Sequence, residues 1–296
     1  MNVTAPANVL VDEPMKDHTT FKVGGCADVF VTPQSIREAT DIVRLLLADG
    51  IPYTVIGNGS NLLVSDRGYR GCIVSMGMSG ITVDKDEITA GAGALLSKVS
   101  KTAYENALTG LEFASGIPGS VGGAVVMNAG AYGGEMKDVI TSVTLYDPSS
   151  DTVVTRSCEE MKFGYRTSLV KSYPYVVLET NLKLTHGSTE KIKETMDELA
   201  KKRRDKQPLE YASAGSTFKR PEGYFAGKLI EDAGLKGYSV GGACVSEKHC
   251  GFVVNKGNAC ADDVIGLIRA VRQKVYDMSG VMLEPEVVIL GEDMSL

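Results

Sequence analysis

Much of what this sequence does can be narrowed by what it lacks. No apolar run reaches the ~18 residues of a membrane-spanning helix. The first twenty residues lack the basic region and apolar core of a secretory signal. Basic residues are not in excess. Lys and Arg number 31 against 37 Asp and Glu, a net charge of −6, which disfavours a nucleic-acid partner and leaves room only for a local basic groove. The six cysteines, at 26, 72, 158, 244, 250 and 260, form neither a Cys-x-x-Cys nor a disulfide framework. A reducing cytoplasm fits that usage. Cys244 and Cys250 have no matching partners for a zinc site, and no metal is expected. Tryptophan is absent, which excludes nothing. No G-x-x-x-x-G-K-[ST] occurs, so a P-loop NTPase is excluded at motif level. Gly57-Asn-Gly59-Ser-Asn-Leu62 has Leu where the Rossmann fingerprint needs its third glycine, and a strand follows it rather than a helix. Gly91-Ala-Gly93 fails the same test.

What is present is glycine, concentrated in one place. Gly110–Gly134 holds eight glycines in 25 residues, with Ala and Ser between them and only Glu112 charged. Surface loops are usually bulkier and more polar. Glycine admits positive φ and close approach of a ligand to the backbone, and exposed N–H groups in such turns make concave nests for anions. A large phosphorylated cofactor lying on this segment is one reading; a close-packed strand–turn–helix junction is the other.

The remaining pattern is mixed α and β. With 296 residues, 43% hydrophobic and 23% charged, the chain is an ordinary globular protein of two or three subdomains. Residues 1–20 read as an irregular or short helical entry, followed by a strand over 27–31. Ser35-Ile-Arg-Glu38 is a capping-box pattern, and Ile36, Ala39, Val43, Leu46 and Leu47 keep helical spacing up to Gly50. Strands are expected over 53–56, 62–64 and 72–75, with hairpins over 81–90 and 142–156 and a long alternating strand over 175–185. A helix from Glu190 ends in the basic run Lys201–Arg204 and Lys206, which reads equally as a solvated helix end or a phosphate-facing patch. A shorter helix over 226–233 follows, then strands over 243–245 and 252–255. The last helix, over 262–279, sets Val264, Ile268, Val271, Val275 and Met278 on one face and stops at Gly280. A final strand is expected over 281–290.

Six motifs then occur in one order: Tyr53–Val64, Gly116-Ile-Pro-Gly-Ser-Val-Gly-Gly123, Asn128-Ala-Gly-Ala-Tyr132, Tyr165-Arg166-Thr-Ser168, Gly215-Ser216 and Leu283-Glu-Pro-Glu-Val287. From about His18 to its end the chain resembles the UDP-N-acetylenolpyruvoylglucosamine reductases of peptidoglycan synthesis. The resemblance implies an α+β fold: an FAD-binding PCMH-type (vanillyl-alcohol-oxidase-like) region of two α+β subdomains, plus a smaller α+β substrate-binding domain. The boundaries expected are 1–75 and 76–205 for the FAD-binding halves, with 281–296 returning to the second, and 206–280 for the substrate domain. It also implies non-covalent FAD, NADPH as hydride donor, a UDP-sugar substrate, a cytoplasmic role in cell-wall biogenesis, and a monomer. Only seven residues, Lys219–Phe225, separate Thr217-Phe218 from Ala226-Gly-Lys-Leu-Ile230. That places the chain with the shorter, second type of the family, which lacks the tyrosine-bearing insertion.

The resemblance also assigns roles. The substrate is a vinyl ether bearing a carboxylate, on which negative charge gathers as hydride arrives, so a cation must already be in place. Arg166 matches that cation, and its fork can grip a carboxylate at two points; without the family it would read as a salt-bridging loop residue. Ser216 matches the proton donor to the neighbouring carbon, where an isolated reading gives a turn serine. Glu286 matches the third catalytic residue. Glu284, on the same face of the expected strand, reads as a structural ion-pair partner. Gly57, Asn58, Gly59, Ser60, Asn61, Gly116, Pro118, Gly119, Ser120, Gly122 and Gly123 are expected around the FAD diphosphate, with Asn128, Gly130 and Ala131 near the flavin. Lys206, Arg220, Lys228 and Lys236 are candidate UDP partners. His249 matches a polar position on the substrate side, although a lone His also packs structurally. A flavin oxidase of the same fold and a non-enzymatic nucleotide-sugar binder are the competing readings.

Overall fold

The computed structural model describes residues 9–292 and Met294. The principal elements begin with β1 (Val9–Pro14), β2 (Cys26–Val31), α1 (Ile36–Ala48), β3 (Tyr53–Ile56), β4 (Leu62–Val64) and β5 (Tyr69–Ser75). Then come β6 (Ile81–Asp84), β7 (Glu87–Gly91), α2 (Leu96–Glu105), α3 (Val121–Met127), β8 (Ile140–Asp147), β9 (Thr152–Ser157) and β10 (Val176–Lys183). The last third holds α4 (Thr189–Lys206), α5 (Ala226–Asp232), β11 (Ser239–Val240), β12 (Ala243–Val245), β13 (Val253–Asn255), α6 (Ala261–Ser279) and β14 (Val288–Leu290). The fold class is α+β. Two compact units emerge. One takes in Phe30–Asn58 and Cys72–Arg203 with Val9 and Leu10; the other takes in Val11–Val29, Gly59–Gly71 and the described residues from Arg204 on.

The first unit is built on an antiparallel sheet in the order β9-β8-β10-β7-β6. Period-2 alternation dictates its buried face: Val143 and Leu145 on β8, Leu178, Thr180 and Leu182 on β10, and Ile88 and Ala90 on β7 are fully buried. Helix α3 packs on β10 and β7. Parallel pairing of β3 with β5 runs from Tyr53–Cys72 to Ile56–Ser75, so both strands point their C-terminal ends the same way. Helix α1 starts as its sequence dictates. Ser35 Oγ accepts from Glu38 N–H (3.2 Å), and Glu38 Oε2 accepts from Gln34 N–H (2.8 Å).

The second unit is organised around α6, which buries Val264, Leu267, Ile268, Val271 and Val275 against Leu229 and Ile230 of α5 and Val245 and Val253 of the β11-β12-β13 sheet. Its N-terminus is capped from far away in sequence: Asp66 accepts from Ala261 N–H (2.9 Å) and Asp262 N–H (3.0 Å). Asp263 accepts from Gly242 N–H (3.0 Å), and this bond holds its carboxyl below the ordinary range. Gly280, at φ 71°, ends the helix. β14 pairs in parallel with β4, Val288 opposite Leu62.

Three expectations differ from the structure. The described part of the segment 1–20 opens with a strand, β1, which the sequence does not suggest, and then makes the short helical turn expected there, Met15–Asp17; the first eight residues lie outside the described ones. Val281–Leu290 is not one strand. Pro285, with no N–H to give, bridges Phe218, and only Val288–Leu290 joins β4, so the segment changes partner midway. Met278 is 55% exposed, because the apolar face of α6 leaves the core within its last turn.

Candidate active site

In the first unit the two glycine-rich turns meet. Gly57 follows β3 directly, and a Cβ there would overlap Ser120 Oγ. Asn58 Nδ2 donates to the Pro118 carbonyl at 2.7 Å, tying the first turn to the second. Ser120 is the N-cap of α3, its Oγ accepting from Gly123 N–H at 3.4 Å. Gly122 presses on β7's exit, where a Cβ would sit 3.0 Å from Ala92 Cβ and 3.1 Å from its carbonyl. Among the described residues, the N–H groups of Asn58, Gly116 and Gly119 meet no protein acceptor. Beside them lies Arg203. A Cβ on Gly116 would stand 3.1 Å from its Cδ and 3.3 Å from a terminal nitrogen, and burial pushes its guanidinium below the ordinary arginine range. The basic run therefore divides: Arg203 is half-buried over the glycine turn, while Lys201, Lys202, Arg204 and Lys206 are exposed. Sequence reasoning treated the run as a block; helical spacing of 203 from its neighbours was the available signal.

Asn128 ends α3 in the left-handed conformation (φ 42°) and is 1% exposed. Its Nδ2 donates to Glu135 Oε2 (2.7 Å) and to the Gly164 carbonyl (3.1 Å), and its Oδ1 accepts from Lys137 N–H (3.0 Å). Gly130 and Ala131 form a short antiparallel pair with Gly134 and Glu135. Arg166 stands at the tip of a tight turn closed by Gly164 and Thr167, and takes a positive φ of 54°. Its Cζ lies 5.5 Å from the centre of the exposed Tyr165 ring. The Glu135 carboxyl is held below its ordinary range, first by Lys137 at 3.0 Å, then by Asn128 and by the field of Arg166.

In the second unit Gly59, at φ 60°, turns against the His18 carbonyl, which a Cβ would overlap, and its own carbonyl accepts from Thr20 N–H (3.2 Å). Thr20 Oγ1 is buried with no partner among the described residues. Asn61 Nδ2 donates to the Glu286 carbonyl at 3.1 Å. Ser216 follows Gly215 (φ 77°) and bridges Phe252. Thr217 accepts from Glu286 N–H at 2.8 Å through its carbonyl, so the strands bearing Ser216 and Glu286 run side by side. Glu284 pairs with Lys219 at 2.9 Å.

His249 sits at the same edge. Its Nδ1 accepts from Gly251 N–H (3.1 Å), which fixes the neutral tautomer with hydrogen on Nε2. Its ring meets Phe252 edge-on at 5.0 Å, and burial lowers its pKa. Arg220 lies over the Phe225 ring at 4.0 Å and donates to the Tyr224 carbonyl. Lys228 is paired with Asp232 at 2.6 Å. Lys206 and Lys236 are exposed. Among the described residues no group of three or more His, Cys, Asp or Glu could hold a metal ion.

Residues 27–156 match an FAD binding domain, and residues 207–290 match the C-terminal domain of UDP-N-acetylenolpyruvoylglucosamine reductase. UDP-N-acetylenolpyruvoylglucosamine reductase of Clostridioides difficile (strain 630) is 50% identical over 295 residues, covering 99% of this chain and 97% of that one. The enzyme of that name from Agathobacter rectalis is 54% identical, covering 96% and 94%. The chain belongs to the UDP-N-acetylenolpyruvoylglucosamine reductase family. A solved structure of that reductase, from Thermus caldophilus, superposes with a TM-score of 0.82 at 37% identity over 96% of this chain and 98% of the other.

The donor set suits the cofactor that the FAD binding domain implies. Glycine turns too close for side chains, N–H groups without acceptors and the cation of Arg203 together describe a seat for a diphosphate. The reductase family's α+β cofactor region accounts for the turns at 57–58 and 116–123. Its C-terminal domain accounts for the Ser216–Phe218 strand and its partner 284–286.

Proposed function

We propose that this protein reduces UDP-N-acetylglucosamine enolpyruvate to UDP-N-acetylmuramate, taking hydride from NADPH through non-covalently held FAD. In this reading residues up to about 205 carry the cofactor and 206–280 the substrate. The protein works as a cytoplasmic monomer in cell-wall precursor synthesis; all six cysteines are free thiols, which suits a reducing compartment. The observation that carries the reading is the near-complete, 50% identical match to enzymes of this name, supported by the pairing of the Ser216 and Glu286 strands.

Bound FAD would supply the redox chemistry, accepting a hydride from NADPH and passing it to the substrate's vinyl ether. The chain's residues do the rest. N–H groups of Asn58, Gly116 and Gly119, with Arg203, would hold the diphosphate; Gly59, Ser60 and Asn61 are further candidate FAD contacts. Arg166 grips the substrate carboxylate, where negative charge gathers as the hydride is delivered. Ser216 Oγ–H gives the proton to the adjacent carbon, and solvent restores it. Glu286 orients the carboxylate. One hydride and one proton thus saturate the double bond, leaving a lactyl ether and NADP⁺. Arg220, Lys228, Lys206 and Lys236 are the candidate partners of the UDP diphosphate, with His249 as a neutral Nε2–H donor.

Anaerobic stopped-flow absorbance tests the reading. NADPH is expected to bleach the flavin band, and the enolpyruvyl substrate to restore it. In Ser216→Ala bleaching persists, while restoration slows by about 10²-fold or more. Colour that does not return with substrate would sink the assigned activity. Normal restoration in the variant would remove Ser216 from the chemistry.

A further inference from the structure

The turn bearing Arg166 is closed by hydrogen bonds between Gly164 and Thr167, and Lys171 Nζ donates to the Arg166 carbonyl at 3.4 Å. Its tip residues, Tyr165 and Thr167, are exposed, and Arg166 itself takes the left-handed conformation that disfavours a side chain. Both ends of the turn are nevertheless moored to one stretch, the C-terminal end of α3. Ser168 Oγ donates to the Val126 carbonyl (2.9 Å), and Gly164 accepts from Asn128 Nδ2 (3.1 Å). We propose that Asn128 is a positioning residue for Arg166, setting the base of its turn. This rests on the role given to Arg166 above.

The amide fits the task in a way few side chains could. Both Nδ2 hydrogens are engaged, one by Gly164 and one by Glu135, while Oδ1 takes Lys137 N–H. A single buried group thereby fixes the turn and orients Glu135, whose carboxyl feels the Arg166 charge. Aspartate has no hydrogens to give, and glutamine is ill-suited to φ 42°. In the glycine-rich segment Asn128 thus serves the arginine as well as the cofactor-bearing stretch it belongs to.

The test uses Asn128→Gly, which tolerates the positive φ but deletes the amide, Asn128→Asp, which keeps the shape, Arg166→Ala, and the double variant Asn128→Gly/Arg166→Ala. Flavin content, bleaching by NADPH, recolouring by the enolpyruvyl substrate, and calorimetric affinity for UDP-N-acetylmuramate are measured. Both Asn128 variants are expected to retain flavin and to recolour about tenfold more slowly, the effect of losing the bond to the Gly164 carbonyl that sets the turn. The slowing falls on recolouring rather than bleaching, and product binding weakens in parallel. The double variant should be no slower, and bind product no more weakly, than Arg166→Ala alone, because the two losses share one route. Wild-type recolouring in Asn128→Asp, multiplied effects in the double variant, or loss of flavin from both Asn128 variants overturns the proposal. If Asn128→Gly does not fold, Asn128→Asp decides by the same rates. If Arg166→Ala recolours normally, the role of Arg166 falls instead, which separates the two failures.

Discussion

The glycine-rich turns of the first unit and the Ser216–Glu286 strands of the second use opposite chemistry. The turns offer main-chain N–H groups and an absence of side chains: a Cβ on Gly57 would overlap Ser120, and one on Gly122 would crowd Ala92 at 3.0 Å. The strands offer side chains, held by a backbone ladder from Lys219–Glu284 to Thr217–Glu286. A backbone seat does not titrate and depends on closeness. A side-chain site titrates and depends on what lies beneath it. The first is thus vulnerable to added atoms, and the second to removed ones.

That contrast can be tested, starting with the largest effect. Phe252→Ala removes a buried ring that packs edge-on against His249, on a residue whose backbone bridges Ser216. It should lower stability by about 3–5 kcal/mol in urea unfolding. Gly122→Val inserts atoms where Ala92 stands 3.0 Å away. Overpacking should cost about 1–3 kcal/mol, and much of the flavin should be lost on purification, whereas Phe252→Ala keeps it in the protein that folds. Equal flavin loss in both would erase the distinction.

The third prediction concerns pH. Burial lowers the His249 pKa from 6.5. Above that value both folded and unfolded chains hold the ring neutral. As pH falls below it, the unfolded chain gains a proton that the fold resists, so stability falls. Urea midpoints between pH 7 and 5 should decline less in His249→Gln, while the Gly122→Val variant keeps the wild-type slope. The smallest effect belongs to Lys219→Ala. Its ion pair with Glu284 is largely solvent-exposed and should contribute little, detectable only as a minor shift in urea midpoint.

Sequence pattern disclosed the local features and missed the long-range ones. The strands at 53–56, 62–64 and 243–245, the Ser35–Glu38 cap and the Gly280 stop are set by neighbouring residues, and all are present. The partner change at Pro285 depends on Phe218 and Leu62, which no local window contains. At the site, glycine density pointed to the turns at 57–59 and 116–123, where the structure brings backbone too close for side chains. Thr20 escaped notice, and Arg203 was not singled out from its basic run, because their meaning comes from Gly59 and Gly116, brought beside them only by folding. The part of Asn128 that faces Gly164 was hidden for the same reason.

The cap that Asp66 places on α6 bears on how this protein is made. The carboxylate emerges from the ribosome nearly two hundred residues before the helix it closes, and β4 waits still longer for β14. During synthesis the second unit therefore has no finished partner for its earliest pieces, while the bulk of the first has every strand of its main sheet by residue 183. Vectorial synthesis should deliver the first unit folded and the second as loose ends, which makes the interval before release the period of greatest exposure to proteases and chaperones.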